Sequence, residues 1–148
     1  MAQLSLESPV GPLTVSEADG AIVALDWGWG RDQQPTPLLA RAREVLNAYF
    51  DGAEPEIDLP MQPAGTAFQR RVWQAMLAIP YGHTRTYGEL TESAGGVARA
   101  VGVACGANPI PILIPCHRVV AQNGLGGYSG DGGVETKVAL LRLEGALL

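Results

Sequence analysis

Three prolines within a short stretch constrain this chain more than any other feature. They stand at 109, 111 and 115 in the segment Asn108 to Val119, which reads Asn-Pro-Ile-Pro-Ile-Leu-Ile-Pro-Cys-His-Arg-Val. Each proline removes a backbone donor and biases the residue before it away from helix, so Ile110 to Ile114 cannot continue a helix. The apolar side chains between the prolines predict an extended, buried segment. Its end is chemically unusual, because Cys116 follows Pro115 and is followed at once by His117. A thiol delivered by a rigid, water-poor segment, with an imidazole beside it, is how a nucleophile is placed. The competing reading is a small buried cysteine of the ordinary kind, since adjacent residues of an extended chain point to opposite sides.

The chain before this segment divides in two. Leu13 and Val15 alternate with polar neighbours, Asp19-Gly20 supplies a hairpin turn, and Val23 and Leu25 continue the alternation, so residues 3–27 predict strands. After a loop from Gly28 to Pro37, Ala42, Val45, Leu46 and Tyr49 follow helical spacing up to Asp51-Gly52. Ala53 to Gly65, with three prolines, reads as a linker. Residues 1–60 thus predict a small sheet with a covering helix, without chemistry of its own, and residues 61–148 a second domain. The fold class is α+β.

In the second domain Thr66 and Gln69 form a capping box that opens a helix to Ile79, with Phe68, Val72, Met76 and Ile79 as its buried stripe. Pro80-Tyr81-Gly82 breaks it. A second box at Thr86 and Glu89 opens a short helix ending at Gly95-Gly96, and Val97 to Ala107 forms a third. Helix, glycine turn, helix is the helix-turn-helix pattern. On the third helix Val97, Ala100, Val101 and Ala104 share the side assigned to the core, and Arg99, Gly102, Val103 and Gly106 the opposite one. Two glycines on an exposed face cost helix propensity roughly 1 kcal/mol each, which implies close approach by something, and a nucleic-acid groove fits. Arg99, near the helix start, sits where recognition helices meet DNA. A poorly formed core helix with a solvated arginine explains the same residues. Cys105, on the flank of the core side, reads as structural.

Asn123 to Gly133 is a glycine-rich loop carrying Tyr128 and Ser129, without the Lys-Ser/Thr ending of a nucleotide-triphosphate loop. The last helix, Val134 to Glu144, puts Lys137, Leu141 and Glu144 on one face. A carboxylate in the last turn opposes the helix dipole by several tenths of a kcal/mol. A local rule broken without visible gain marks a candidate functional residue, and a frayed surface glutamate is the alternative.

Charge and cysteine usage narrow the function classes. The net charge is −5, which alone argues against nucleic acid. Residues 1–60, however, carry ten acidic and three basic side chains, and residues 61–148 five acidic and seven basic, so the halves differ as −7 and +2. That split is the footprint of a DNA-facing domain joined to one that is not, and equally of an ordinary solvated surface. Cys105 and Cys116 could form one disulfide, but a reactive thiol in a reducing compartment fits better. Together with His83 and His117 they lack zinc-finger spacing, and no metal is expected. There is no apolar run long enough to span a bilayer and no signal-peptide pattern at the N-terminus. The expectation is a cytoplasmic monomer with no membrane contact.

The string Asn108 to Val119 closely resembles the active-site signature of the O6-alkylguanine-DNA alkyltransferases, and its Pro-Cys-His-Arg-Val core is specific. The resemblance is strongest from Thr66 to Gly145 and includes the opening Ser-Pro-Val-Gly-Pro-Leu-Thr-Val. It implies a ribonuclease H-like N-terminal domain, a winged-helix-like C-terminal domain, and transfer of a methyl or larger alkyl group from O6 of guanine in double-stranded DNA to Cys116, once per molecule and without a cofactor. By that resemblance His117 acts through a water on Cys116, Glu144 orients His117, and Asn108 braces the turn carrying the thiol. Tyr87 donates to the guanine ring, the backbone at Cys116 and Val119 accepts from its exocyclic amine, and Tyr128 and Ser129 wall the pocket. Arg99 fills the place of the extruded nucleotide, Gly102 and Gly106 allow approach to the minor groove, and Thr86 joins the DNA-binding set. Some relatives hold a structural zinc in the N-terminal domain; with no Cys or His before His83, none is implied here. His83 departs from a position often acidic in relatives. Two rivals remain: a damage-binding protein that does not transfer, as in relatives with Trp at the cysteine, and a Cys-His-Glu hydrolase, against which the lack of an oxyanion-hole motif counts.

Overall fold

A computed structural model describes residues 1–148 as two units, Met1–Ala64 and Gly65–Leu148. In the first, β1 (Ala2–Leu6), β2 (Leu13–Ala18) and β3 (Ala21–Trp27) form an antiparallel sheet in that order. Leu4 lies opposite Val15, and Val15 opposite Leu25. All three are buried, as alternation dictates for the core face of a sheet. Asp19 and Gly20 both have positive φ, the backbone of a tight hairpin whose twist matches its strands. The other face of the sheet is polar yet buried. Ser5 and Thr14 share a hydroxyl contact of 2.8 Å, and the Gly30 N–H donates to the Ser5 hydroxyl at 2.9 Å, so the following loop folds over them.

Helix α1 (Pro37–Phe50) covers the sheet through Leu39, Ala42, Leu46 and Tyr49, with Thr36 as N-cap and Pro37 in the first turn, where a missing N–H costs nothing. The proline-rich segment after it is not a free linker over its whole length. Ile22 bonds to Pro60 and Gln62 on either side of Met61, each at 2.8 Å, which extends the sheet edge, and Leu59 is buried.

The second unit opens with α2 (Ala67–Leu77). Its capping box at Thr66 and Gln69 is complete in both directions. The buried stripe is Val72, Trp73 and Met76, with Phe68 only half-buried. The Trp73 indole N–H donates to the Ala104 carbonyl at 2.9 Å, and this bond pins the next helix pair to α2. The second capping box opens α3 (Tyr87–Ala94). Gly95 and Gly96 both have positive φ and form the tight turn into α4 (Ala98–Gly106), completing the helix-turn-helix. A short parallel pair, β4 (Arg85–Thr86) with β5 (Val119–Val120), ties the start of α3 to the residues just after His117. Helix α5 (Val134–Leu143) closes the unit.

The segment between α4 and β5 is buried as expected, but it is not extended. The Ile114 N–H returns to the Ile110 carbonyl at 2.9 Å, and Ile112 takes φ 72°, so the prolines frame a tight turn. Left-handed backbone is unfavourable for a β-branched residue and persists only where surroundings impose it. Asn108 imposes it: its amide donates to the Ile114 carbonyl at 2.9 Å and its Oδ1 accepts from the Ile110 N–H at 2.9 Å. Asn108→Ala leaves two buried backbone groups unsatisfied. It is expected to lower stability by about 2–6 kcal/mol, at roughly 1–3 kcal/mol per group, which urea unfolding measures; an unchanged midpoint would show the turn to be held otherwise.

Candidate active site

The turn from Ile110 to Pro115 ends in a single helical turn, Cys116–Arg118, and this places three consecutive side chains in three different environments. The Cys116 thiol lines a cavity of about 360 Å³, together with Tyr87, Gly102, Cys105, Gly106, Gly127, Tyr128 and Ser129. That is within the size of small-molecule sites, about 300–1,000 Å³. His117 points away from solvent and is fully buried. Arg118 is also buried, and lies across the aromatic face of Tyr81.

Behind the thiol these residues meet the end of α5. His117 Nε2 is 2.6 Å from Glu144 Oε2. Arg118 grips the same carboxylate twice, Nε to Oε1 at 2.8 Å and Nη2 to Oε2 at 3.1 Å, while Nη1 donates to the Ile79 carbonyl at 2.9 Å. A buried carboxylate at a helix C-terminus is thus compensated by a two-pronged guanidinium, the geometry that suits arginine and not lysine. The partners fix the imidazole tautomer. Nε2 carries the hydrogen given to Glu144, which leaves Nδ1 as the bare acceptor. Nδ1 is buried and has no hydrogen-bond partner in the protein. Burial lowers the His117 pKa, with Glu144 opposing, so the ring is neutral at physiological pH and able to take a proton.

Cys116 is pulled in both directions. Burial pushes its pKa up, and the Asn108 side chain and the Lys137 ammonium pull it down. A proton acceptor is therefore what the thiol needs, and His117 is the neighbouring base. Tyr87, the first residue of α3, has its phenol pushed upward by burial and by the two thiols, with a backbone hydrogen bond from Gly127 opposing. It stays a hydrogen-bond donor at neutral pH. Gly126 is required beside it: φ is 73°, and a Cβ would lie 2.9 Å from the Tyr87 hydroxyl. Burial likewise raises the Tyr128 phenol.

Most of the residues singled out in the sequence converge here. Gly102 and Gly106 border the cavity, so their missing side chains leave room inside it. Cys105, read as structural, is buried with its sulfur 3.7 Å from Met76 Sδ, and it also lines this cavity. The Val119 carbonyl, expected to face a base, receives the Lys137 ammonium at 2.6 Å. The Thr86 hydroxyl accepts from the Glu89 N–H in its cap, leaving its own O–H as the group free to donate outward. On α4, Val97 is 65% exposed and not part of the core; Val101, Ala104 and Cys105 are the buried residues. Arg99 and Val103 are exposed and line a shallow groove with Phe68 and Gln69. His83 is exposed, with Nδ1 3.1 Å from the Tyr81 carbonyl.

Two functional residues escaped the sequence reading. Arg118 was legible as a signature residue but not as Glu144's partner. Lys137 is fully buried with no carboxylate beside it; its ammonium donates to Val119 and to Gly127 at 3.0 Å and lies 5.9 Å from the Tyr87 ring centre. A charge on the face shared with Leu141 and Glu144 was the available signal. Lys137 clamps the glycine loop to β5 and supplies positive charge to the cavity. Lys137→Met keeps the shape and removes that charge, so the Cys116 thiol is expected to ionise at higher pH. The pH profile of Cys116 carboxymethylation by iodoacetamide should move upward by about one unit, roughly the effect of a nearby charge; an unmoved profile would assign Lys137 to loop fixing alone.

Comparison with known proteins agrees with this geometry. Residues 67–146 match the model of the 6-O-methylguanine DNA methyltransferase DNA binding domain, and residues 3–63 that of the ribonuclease-like domain of the same proteins. The chain is 44% identical over 151 residues to the methylated-DNA–protein-cysteine methyltransferase of Mycobacterium tuberculosis, covering 95% of this chain and 90% of that one. It is 39% identical to the protein of the same name from Methanosarcina acetivorans, covering 95% and 96%. The crystal structure of the M. tuberculosis protein in complex with DNA superposes with a TM-score of 0.86 at 42% identity, over 97% of this chain and 93% of that chain. With both units matched in order and the cysteine signature intact, the chain belongs to the 6-O-methylguanine DNA methyltransferase family.

Proposed function

We propose that this protein repairs alkylated DNA directly, moving a methyl or larger alkyl group from O6 of guanine to Cys116. One observation carries the assignment: the Cys116 thiol opens into a cavity while the residue after it is locked in a buried imidazole–carboxylate pair. Neutral His117 accepts the thiol proton at Nδ1 through a bridging water, and Glu144, gripped by Arg118, stabilises the imidazolium, the logic of a catalytic triad with one solvent link. The sulfur attacks the alkyl carbon in line; the S–C bond forms as the C–O bond breaks, and the electron pair leaves with guanine. Tyr87 donates a hydrogen bond as charge builds on the ring. The alkyl carbon in duplex DNA is stacked out of reach, so the nucleotide is extruded, at a cost of a few kcal/mol. Arg99, exposed near the start of α4, fills the gap it leaves. The thioether is not readily cleaved, so each molecule acts once, and a cytoplasmic setting suits the free thiols.

The test is intact-mass measurement after incubation with O6-methylguanine duplex. One methyl per protein, on the peptide containing Cys116, is expected; DNA binding with no added mass would leave a damage-binding protein instead. Arg99→Ala is expected to slow transfer from duplex by about tenfold or more, in keeping with the few kcal/mol of extrusion, while reaction with the free modified base stays near wild type. Equal losses on both substrates would remove the gap-filling role.

A further inference from the structure

Alkyl transfer uses one thiol, yet the cavity has two. Cys105 and Cys116 are both free cysteines and both line the same space. Of the α4 residues on that wall, Gly102 and Gly106 have no side chain, so Cys105 is the side chain α4 brings there; its thiol lies 3.7 Å from the Met76 sulfur, a weak contact that closing a disulfide would give up. Each element is anchored: α4 by the Trp73 bond to Ala104, and Cys116 by the turn that Asn108 ties. No other cysteine occurs in the chain.

We propose that Cys105 is a resolving thiol for Cys116: a hydroperoxide oxidises Cys116, and Cys105 then closes a reversible disulfide that suspends repair and shields the acceptor from irreversible oxidation. The proposal rests on Cys116 being the reactive nucleophile. In the first step the Cys116 sulfur takes one oxygen from the hydroperoxide, giving a sulfenic acid and releasing water or an alcohol. In the second the Cys105 sulfur displaces hydroxide from that sulfenic acid; the S–S bond forms, the S–O bond breaks, and the Cys105 proton leaves in a second water. A dithiol reductant reverses it by thiol–disulfide exchange.

The resting electrostatics keep the two thiols in different roles. The Cys105 pKa is pushed up to about 12, first by burial and then by the charge of Cys116, with Lys137 opposing. Cys105 is therefore inert towards alkyl groups and oxidants while Cys116 is reduced. Of the charges near Cys105, the Lys137 ammonium favours its thiolate, the form that attacks a sulfenic sulfur.

The experiment treats the full-length protein and Cys105→Ser with hydrogen peroxide, then follows intact mass and alkyl-acceptor capacity before and after dithiothreitol. No Lys or Arg lies between Arg99 and Arg118, so both cysteines fall in one tryptic peptide, residues 100–118. For the wild type that peptide is expected to lose two hydrogens without dimerising, and dithiothreitol should restore most of the acceptor capacity. In Cys105→Ser, Cys116 is expected to gain two or three oxygens, and about a tenth or less of its own untreated capacity should return, because sulfinic and sulfonic acids are not reduced by thiols. Wild-type protein that gains oxygens as readily as the variant, or that forms only linked dimers, would overturn the proposal; so would a variant that recovers fully. Each capacity is scaled to the same untreated protein with methylated duplex, so a protein that never accepted methyl would fail that control and refute the repair assignment separately. The wild-type peptide mass decides the matter even if the variant does not fold.

Discussion

Cys116→Ala is expected to abolish methyl transfer while leaving affinity for methylated duplex within about twofold of wild type. Removing a covalent nucleophile leaves no alternative acceptor in position: the other thiol on the cavity wall is Cys105, held protonated by its surroundings. The exposed α4 face carrying Arg99 and Val103 is untouched by the change. Loss of a small side chain from the floor of an existing cavity costs little stability, since no new void is sealed in the core. Single-turnover assay with radiolabelled methyl and a parallel band-shift titration read the two effects. Any methyl retained on the alanine protein would place the acceptor elsewhere, and loss of binding in step with transfer would make Cys116 part of the recognition surface.

Glu144→Gln is the second large effect. Glutamine keeps the size but replaces the carboxylate that His117 and Arg118 share. Its amide can donate to His117 Nε2, which turns the ring to the tautomer with hydrogen on Nδ1 and removes the bare acceptor that Cys116 needs. The corresponding tautomer error in a hydrolytic triad costs about ten-thousandfold, and a loss on the order of a thousandfold in transfer rate is expected here. Arg118 becomes a buried cation without its counter-ion, worth about 3–5 kcal/mol of stability. The two consequences separate by temperature: a rate deficit that persists well below the melting point belongs to the proton relay. Only a stability loss, with the folded fraction transferring at the wild-type rate, would remove Glu144 from the chemistry. Arg118→Met then serves as a comparison, because it leaves the His117–Glu144 bond in place.

How much of this was readable in the sequence depended on how local the cause was. The hairpin at Asp19-Gly20 and both capping boxes are short-range devices and stand as written. The proline segment was legible as non-helical and buried, but its prolines do not choose between extended chain and tight turn. Asn108 makes that choice through hydrogen bonds to backbone groups up to six residues on. The wheel for α4 failed at Val97 because the helix begins one residue later: Val97 is its N-cap, with extended backbone, and does not lie on the wheel. Arg118 and Glu144 are 26 positions apart, and no local pattern announces their pairing. Lys137 was hidden for the opposite reason. Buried lysines are rare enough that a surface position is the default reading, and its partners are backbone carbonyls with no sequence signature.

Helix α4 carries Arg99 and Val103 on its outer side and Cys105 on the cavity wall, so the surface proposed to grip DNA and the chamber proposed for chemistry are divided by a partition one helix thick. Such a partition couples tuning to function. A substitution that tilts α4 to tighten its hold on a groove also moves the wall against which the extruded base must settle. Variants selected for stronger grip should therefore surrender speed more often than variants altered anywhere else on the surface, and improving both will require paired changes on the two sides of the same helix.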